Sequence, residues 1–236
     1  MEQKSKEEEY LVCERIWAFA ILMTVAGYLG AFTYSIRGGV FCNAQTANFV
    51  MFAMALGNMN LKRAVYYLLP MSAYLTGTII SEIIPLKVRK YCVLRWETIL
   101  VGFEVVVTII LGFLPESAPY QVSQIAINFI CSMQYNTFRQ AEKIPMATTF
   151  CTNHLRQAGV HLVRWRMDKD NMDSRKRALT HLLMIFVFIV GAIISTIICN
   201  ILLGKAIWVA SIILFVLFLN FVYSDLSCRE YSCERK

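Results

Sequence analysis

Gly77-Thr78-Ile79-Ile80-Ser81-Glu82-Ile83-Ile84 returns later in the chain as Gly191-Ala192-Ile193-Ile194-Ser195-Thr196-Ile197-Ile198, with six of the eight positions identical. Upstream of each copy lies a second recurring element. Phe41-Cys42-Asn43-Ala44-Gln45-Thr46 comes back as Phe150-Cys151-Thr152-Asn153. The copies are offset by 114 positions for the first element and 109 for the second. One ancestral unit copied twice, with a slightly longer connector in the second copy, accounts for both offsets. Matched polar segments that interrupt helices in a duplicated apolar chain point to a transporter-like site.

The surroundings of these elements are strongly apolar. Of 236 residues, 57% are hydrophobic and 17% are charged. Soluble domains carry about 45–50% and about 25%. The excess sits in long runs, so lipid is the expected solvent for much of the surface. Six segments have the length of a membrane span: 16–34, 64–84, 98–114, 120–138, 182–203 and 207–223. A spanning helix needs about 20 mostly apolar residues. Two further segments do not fit. Segment 44–56 is too short and is bounded by glycines, and 147–163 carries His154, Arg156 and His161. Both begin at the recurring Phe-Cys element, and both read as re-entrant or broken helices.

Basic residues orient these spans. With six spans and the N-terminus inside, nineteen Lys and Arg fall inside and four (Arg37, Lys62, Arg63 and Lys205) fall outside. The first repeat, about 16–114, then runs inside to outside, and the second, about 120–223, runs the opposite way. The expected fold is an all-α membrane protein of six transmembrane helices and two broken helices, built as inverted repeats. It forms one domain over 15–223, with cytoplasmic tails at 1–14 and 224–236. If both broken segments spanned, eight helices would place the 87–95 basic cluster outside.

No cleavable signal peptide is legible, because the first nine residues are acidic and polar. The net charge of +7 is accounted for by Lys and Arg flanking the spans, so nucleic acid is not an expected partner. Eight cysteines form neither a zinc pattern nor a disulfide framework. No nucleophile, base and orienting group fall together, so neither an enzyme nor a cofactor is expected.

Inverted repeats with paired broken helices put a polar site near the bilayer midplane. Unpaired N–H groups at a helix start cannot be left in lipid, and the helix dipole there favours an anion. The candidate solute-binding residues are therefore Asn43, Gln45, Thr46 and Asn48 with Thr149, Thr152 and Asn153. Asn and Thr side chains are also able to cap these starts. Gln121, Gln124, Asn128, Ser132 and Tyr135 share one helix face, which should turn inward; Gln124 and Asn128 join the candidate set. The same face would equally serve interhelical hydrogen bonds. Glu104 is a formal charge well inside a span and a candidate for coupling. Arg156 is a candidate for gating, with snorkelling to the cytoplasmic surface as its alternative. Cys151 and His154 make only a fragment of a metal motif, so no metal is expected. The small-residue pairs Gly27 and Gly30, Gly77 and Ser81, and Gly191 and Ser195 permit close helix contact.

At these residues the chain resembles the YoaK family of bacterial integral membrane proteins, whose function is unknown. The resemblance rests on Gly38 to Asn48, similar to a family pattern ending Asn-x-x-Thr-Gly-Asn, with Ala47 in place of Gly. It extends to Met133-Gln134-Tyr135-Asn136 and to Ala147 to Asn153, where Asn153 replaces a Gly. Gly30 stands where the family often has Asp. The resemblance implies a six-span protein of the bacterial inner membrane.

The function expected from the whole is a secondary transporter or permease for a small polar or anionic solute. The alternative is a protein that docks a partner or anionic lipid through its basic 164–177 stretch. A homodimer would help so small a bundle bury polar surface.

Overall fold

The computed structural model describes residues 10–91 and 94–233, with side chains outside 87–91 and 228–233. The basic residues Lys4, Lys6, Lys87, Arg89, Lys90, Arg229, Arg235 and Lys236 of the charge count lie outside the described side chains. Among the described residues are eight α-helices, one short hairpin and two 3-10 turns (Val12–Glu14 and Leu203–Ala206). The helices and hairpin are α1 (Ile16–Ile36), α2 (Gln45–Gly57), α3 (Leu61–Tyr91), α4 (Trp96–Gly112), α5 (Tyr120–Thr137), the β1–β2 hairpin (Gln140–Ala141, Ile144–Pro145), α6 (Thr152–Met167), α7 (Met172–Leu202) and α8 (Ile207–Cys233).

Chain breaks follow from local chemistry. α1 ends at Arg37, and Gly38 and Gly39 follow with φ of 81° and 71°. At Gly38 a side chain is excluded twice, because a Cβ would also lie 2.0 Å from the Tyr66 hydroxyl. The hairpin turns through Glu142 and Lys143, both with positive φ, as a tight two-residue turn requires. Leu203, with φ of 49°, separates α7 from α8. α7 begins ten residues before its apolar run because Asn171 caps it, accepting from the Ser174 N–H at 2.9 Å.

The hydrogen bonds define two ends of the bundle. At one end meet the C-terminus of α1 (Arg37), the start of α5 (Gln124), Tyr66 near the start of α3, Glu116 after α4, and Gly204 after α7. At the other meet the start of α1 (Ile16 and Glu14 with Glu142), Glu82 of α3 with Arg139 after α5, Lys176 near the start of α7, and Arg95 before α4 with Asp225 of α8. The six longest helices therefore run alternately between the Arg37 end and the Arg139 end. The shorter α2 and α6 lead to opposite ends.

Packing is paired: α1 with α7, α3 with α5, α2 with α3, α6 with α7, and α4 with α8. Exchanging α1, α2, α3 and α4 for α5, α6, α7 and α8 maps this set onto itself. Glycines set the closest approaches. A Cβ on Gly27 would lie 2.0 Å from the Phe188 carbonyl oxygen, and one on Gly191 2.0 Å from that of Thr24. On Gly77 it would meet Ser132 Oγ at 2.1 Å and the Phe129 carbonyl oxygen at 2.5 Å. Among the described residues, three stretches are long and apolar enough to cross a bilayer: Ile16–Ile36, Leu61–Leu86 and Met172–Ser227, the last containing α7 and most of α8.

Candidate functional site

The starts of α2 and α6 line one cavity of about 520 Å³, which opens beside the exposed Thr46, Thr152 and Arg156. Its walls are Asn43, Ala44, Gln45 and Thr46 from the first recurring element, and Phe150, Thr152, Asn153 and Arg156 from the second, with Tyr74 of α3. The N-cap residues are Ala44 and Cys151, and neither makes a side-chain cap hydrogen bond. The alternative role of these Asn and Thr side chains, capping the two helices, is therefore not taken up. The first-turn N–H groups of both helices lie at the cavity without a capping side chain, and both dipoles present their positive ends there.

Side chains around the cavity are held by second contacts. Asn43 donates to the Ala26 carbonyl oxygen at 3.1 Å, and its amide packs on Gly30, where a Cβ would come within 3.0 Å. Gln45 donates to Asn128 Oδ1 at 2.7 Å and to the Cys42 carbonyl oxygen at 3.3 Å. Arg156 donates to Asn153 Oδ1 at 3.2 Å and is otherwise solvent-exposed. Its guanidinium is the positive side chain on the cavity wall.

Four of the expected binding residues stand behind this wall. Asn48 is fully buried and clamps the chain before α2, donating to the Phe41 carbonyl oxygen at 2.7 Å and accepting from the Phe41 N–H at 3.2 Å. Gln124 donates to the Arg37 carbonyl oxygen at 2.6 Å. Asn128 holds Gln45. The inward face of α5 is therefore spent mainly on interhelical hydrogen bonds. Thr149 is fully buried beside the Tyr74 phenol, without a hydrogen bond of good geometry.

Glu104 is buried on α4, and among the described residues its carboxylate oxygens have no hydrogen-bonding partner. It is not on the cavity wall. Tyr74 and Phe150 are wall residues that the candidate set lacked. Phe150 was legible in the repeated Phe-Cys element, whereas no sequence signal marks Tyr74.

A second cavity of about 270 Å³ opens at the Arg139 end, lined by Tyr135, Asn136, Arg139, Pro145, Met146, Ala147, Phe150 and Asn153. Phe150 and Asn153 belong to both cavities, and the Phe150 ring lies 4.9 Å from that of Tyr135. At the opposite end Arg37 is 1% exposed, with Nη1 3.5 Å from Glu116 Oε2. Glu116 Oε1 in turn accepts from the Gly204 N–H at 2.7 Å.

Among the described residues no group of three or more His, Cys, Asp or Glu is placed to hold a metal ion. His154 is engaged instead with Ala147 and His181.

Several long apolar helices are the build of a helical multi-pass membrane protein. The chain belongs to the family described as "Protein of unknown function (DUF1275)", whose model matches residues 18–220. No curated protein and no solved structure matches it.

Proposed function

We propose that this protein is a secondary transporter or permease, in a bacterial inner membrane, for a small polar or anionic solute. One observation carries the reading: two uncapped helix starts and Arg156 converge on a single cavity. Two positive dipole ends and a guanidinium favour an anion or a polarised oxygen. The self-mapping helix pairing supports inverted repeats. The charge distribution supports six spans, with the Arg139 end cytoplasmic and the Arg37 end outside.

Thermal stability of the purified protein against small anions, nucleobases, amino acids and metal ions tests this. A ligand that binds only the folded state raises the melting temperature by mass action. The expected shift occurs with an anion and is lost in Asn43→Ala, Thr152→Ala and Arg156→Gln. No shift across the panel with a folded sample overturns the reading.

Docking on anionic lipid or a partner has one supporting observation. A groove of about 510 Å³ combines Arg175 and Lys176 with Met172, Leu179 and Leu183. The cations around it are already engaged: Lys176 with Glu142 at 2.8 Å, Arg177 with Asp173 at 2.7 Å, and Arg175 over the Trp165 ring. The cavity at the helix starts is therefore the stronger feature.

A further inference from the structure

All three histidines of the chain meet along one seam between α6 and α7. His154 and His181 are fully buried, and their Nδ1 atoms lie 3.0 Å apart. His161, two turns further along α6, lies parallel to His181 with ring centroids 6.3 Å apart. It is 8% exposed, and its Nδ1 is buried without a hydrogen-bonding partner. The other titratable groups facing the seam are Arg164 of α6 and Asp173 and Arg177 of α7. The loop before α6 contributes the Ala147 carbonyl, and among the described residues no titratable group of α1, which also packs on α7, acts on His154 or His181.

The hydrogen bonds fix the proton positions. His154 Nε2 lies 2.8 Å from the Ala147 carbonyl oxygen, which only accepts, so Nε2 carries the hydrogen. Neutral His154 then has a bare Nδ1, which accepts from the Nδ1–H of His181. His181 Nε2 is left as the free acceptor of the pair. One added proton fits there without breaking the bridge. A second would set two Nδ1–H groups against each other at 3.0 Å and drive the rings apart. The pair has room for one proton.

We propose that the His154–His181 pair is a proton-binding site, entered past His161 from the Arg139 end, that couples a proton to solute binding. The coupling rests on the transporter reading; the proton site does not. The proton comes from bulk water and returns to it, and no covalent bond to a heavy atom changes. His154 follows Thr152 and Asn153 of the cavity wall directly, so a positive pair adds to the charge at the α6 start. Proton and anion then favour each other, reciprocally and by the same factor, about tenfold. The expected transport is symport of a proton with an anion.

Nitrogen-15 NMR of histidine-labelled protein in lipid bilayers tests the site with protons as the probe. At about pH 8, well above the ordinary histidine range, His154 should be protonated at Nε2 and His181 at Nδ1, with coupling across the bridge. Acidification should add one proton to the pair while that coupling persists. Independent titration of both rings, or no uptake down to about pH 4, overturns the site. His181→Gln should abolish the uptake, and His161→Gln should slow it while leaving the capacity at one. Vesicles loaded with a pH dye test the coupling, with nitrate, phosphate and amino-acid anions as probes. The transported anion should acidify the lumen in the wild type, and His181→Gln should carry it without acidification. Wild-type flux without acidification overturns the coupling alone. No flux of any anion overturns the transporter reading and the coupling with it, while the NMR proton count still decides the site.

Discussion

The approach of α1 to α7 makes a prediction about two glycines in one interface. A Cβ added at Gly27 or Gly191 would lie 2.0 Å from a backbone oxygen of the facing helix, whereas ordinary contact begins near 3.4 Å. Backbone oxygens do not swing aside, so the helices must separate by about 1.4 Å. Overpacking of this kind costs about 1–3 kcal/mol, and a gap of 0.5–1 Å already forfeits roughly a quarter to a half of each dispersion contact nearby. We take about 3 kcal/mol as the steric cost. Replacing Gly by Ala in a helix returns up to about 1 kcal/mol of backbone entropy. Gly27→Ala or Gly191→Ala alone should therefore cost about 2 kcal/mol. A single separation relieves both clashes, so the double variant keeps one steric cost and gains twice from the backbone, for a net loss of about 1 kcal/mol. It should be more stable than either single variant. Reversible unfolding in mixed detergent micelles measures all three. Gly159→Ala is the control, since a Cβ there meets nothing within 4 Å and the variant should gain up to about 1 kcal/mol. A double variant costing the sum of the singles, or neutral singles, would refute the shared-interface reasoning.

Gly204→Ala would place a Cβ 2.0 Å from Arg37 Nη2 and 2.5 Å from Glu116 Oε1. Displacing the buried Arg37 guanidinium beside the half-exposed Glu116 should cost about 1–3 kcal/mol, read by thermal unfolding. Glu142 makes a pH prediction outside the spans. Burial raises its carboxyl, but the hydrogen bond from Lys176 and that from the Ile16 N–H outweigh it and hold it below the ordinary range. A depressed folded value means that its stabilisation is fully present above the unfolded value, about 4.3, and is lost as pH falls through the folded one. The pair is partly solvent-exposed, so the effect should stay under about 1 kcal/mol. Glu142→Gln should flatten that acid limb of the stability profile.

What could be read from the sequence followed the physics that a single chain exposes. The repeated Phe-Cys elements marked the two helix starts, because polar residues at matched interruptions are rare in an apolar chain. Six of the residues named from them, Asn43, Gln45, Thr46, Thr152, Asn153 and Arg156, line one cavity. Periodicity turned Gln124 and Asn128 inward but did not say what they would meet, which is the Arg37 carbonyl and Gln45. Capping by Asn and Thr, the alternative to solute binding, depended on a register that composition does not give, and the register puts Ala44 and Cys151 at the N-caps. The apolar span 182–203 says nothing of the polar first turns of α7, because hydropathy sees only the apolar part of a helix that Asn171 begins ten residues earlier. His181 lies 27 positions from His154, and only the packing of α6 on α7 joins them.

The two halves differ in the arginine that follows their first helix. Arg37 after α1 is buried and braced by Glu116, whereas Arg139 after α5 is 62% exposed in its pair with Glu82. In a transporter built of exchangeable halves, the opposite conformer would expose Arg37 and bury Arg139. Glu116 then helps hold the Arg37 end shut. Removing its charge leaves the buried Arg37 cation without its ion pair, a cost that opening that end relieves. Cys42 and Cys199 are buried reporters in the wild type. Cys13 is a poor competitor for label, since burial, with Glu97 nearby, pushes its thiol up to about 12. An impermeant maleimide applied to intact cells, with the labelled cysteine located by mass spectrometry, should leave Cys42 and Cys199 unmodified in the wild type and modify them in Glu116→Gln. Equal protection in a folded variant would mean that the Arg37 end is a static seal rather than a gate.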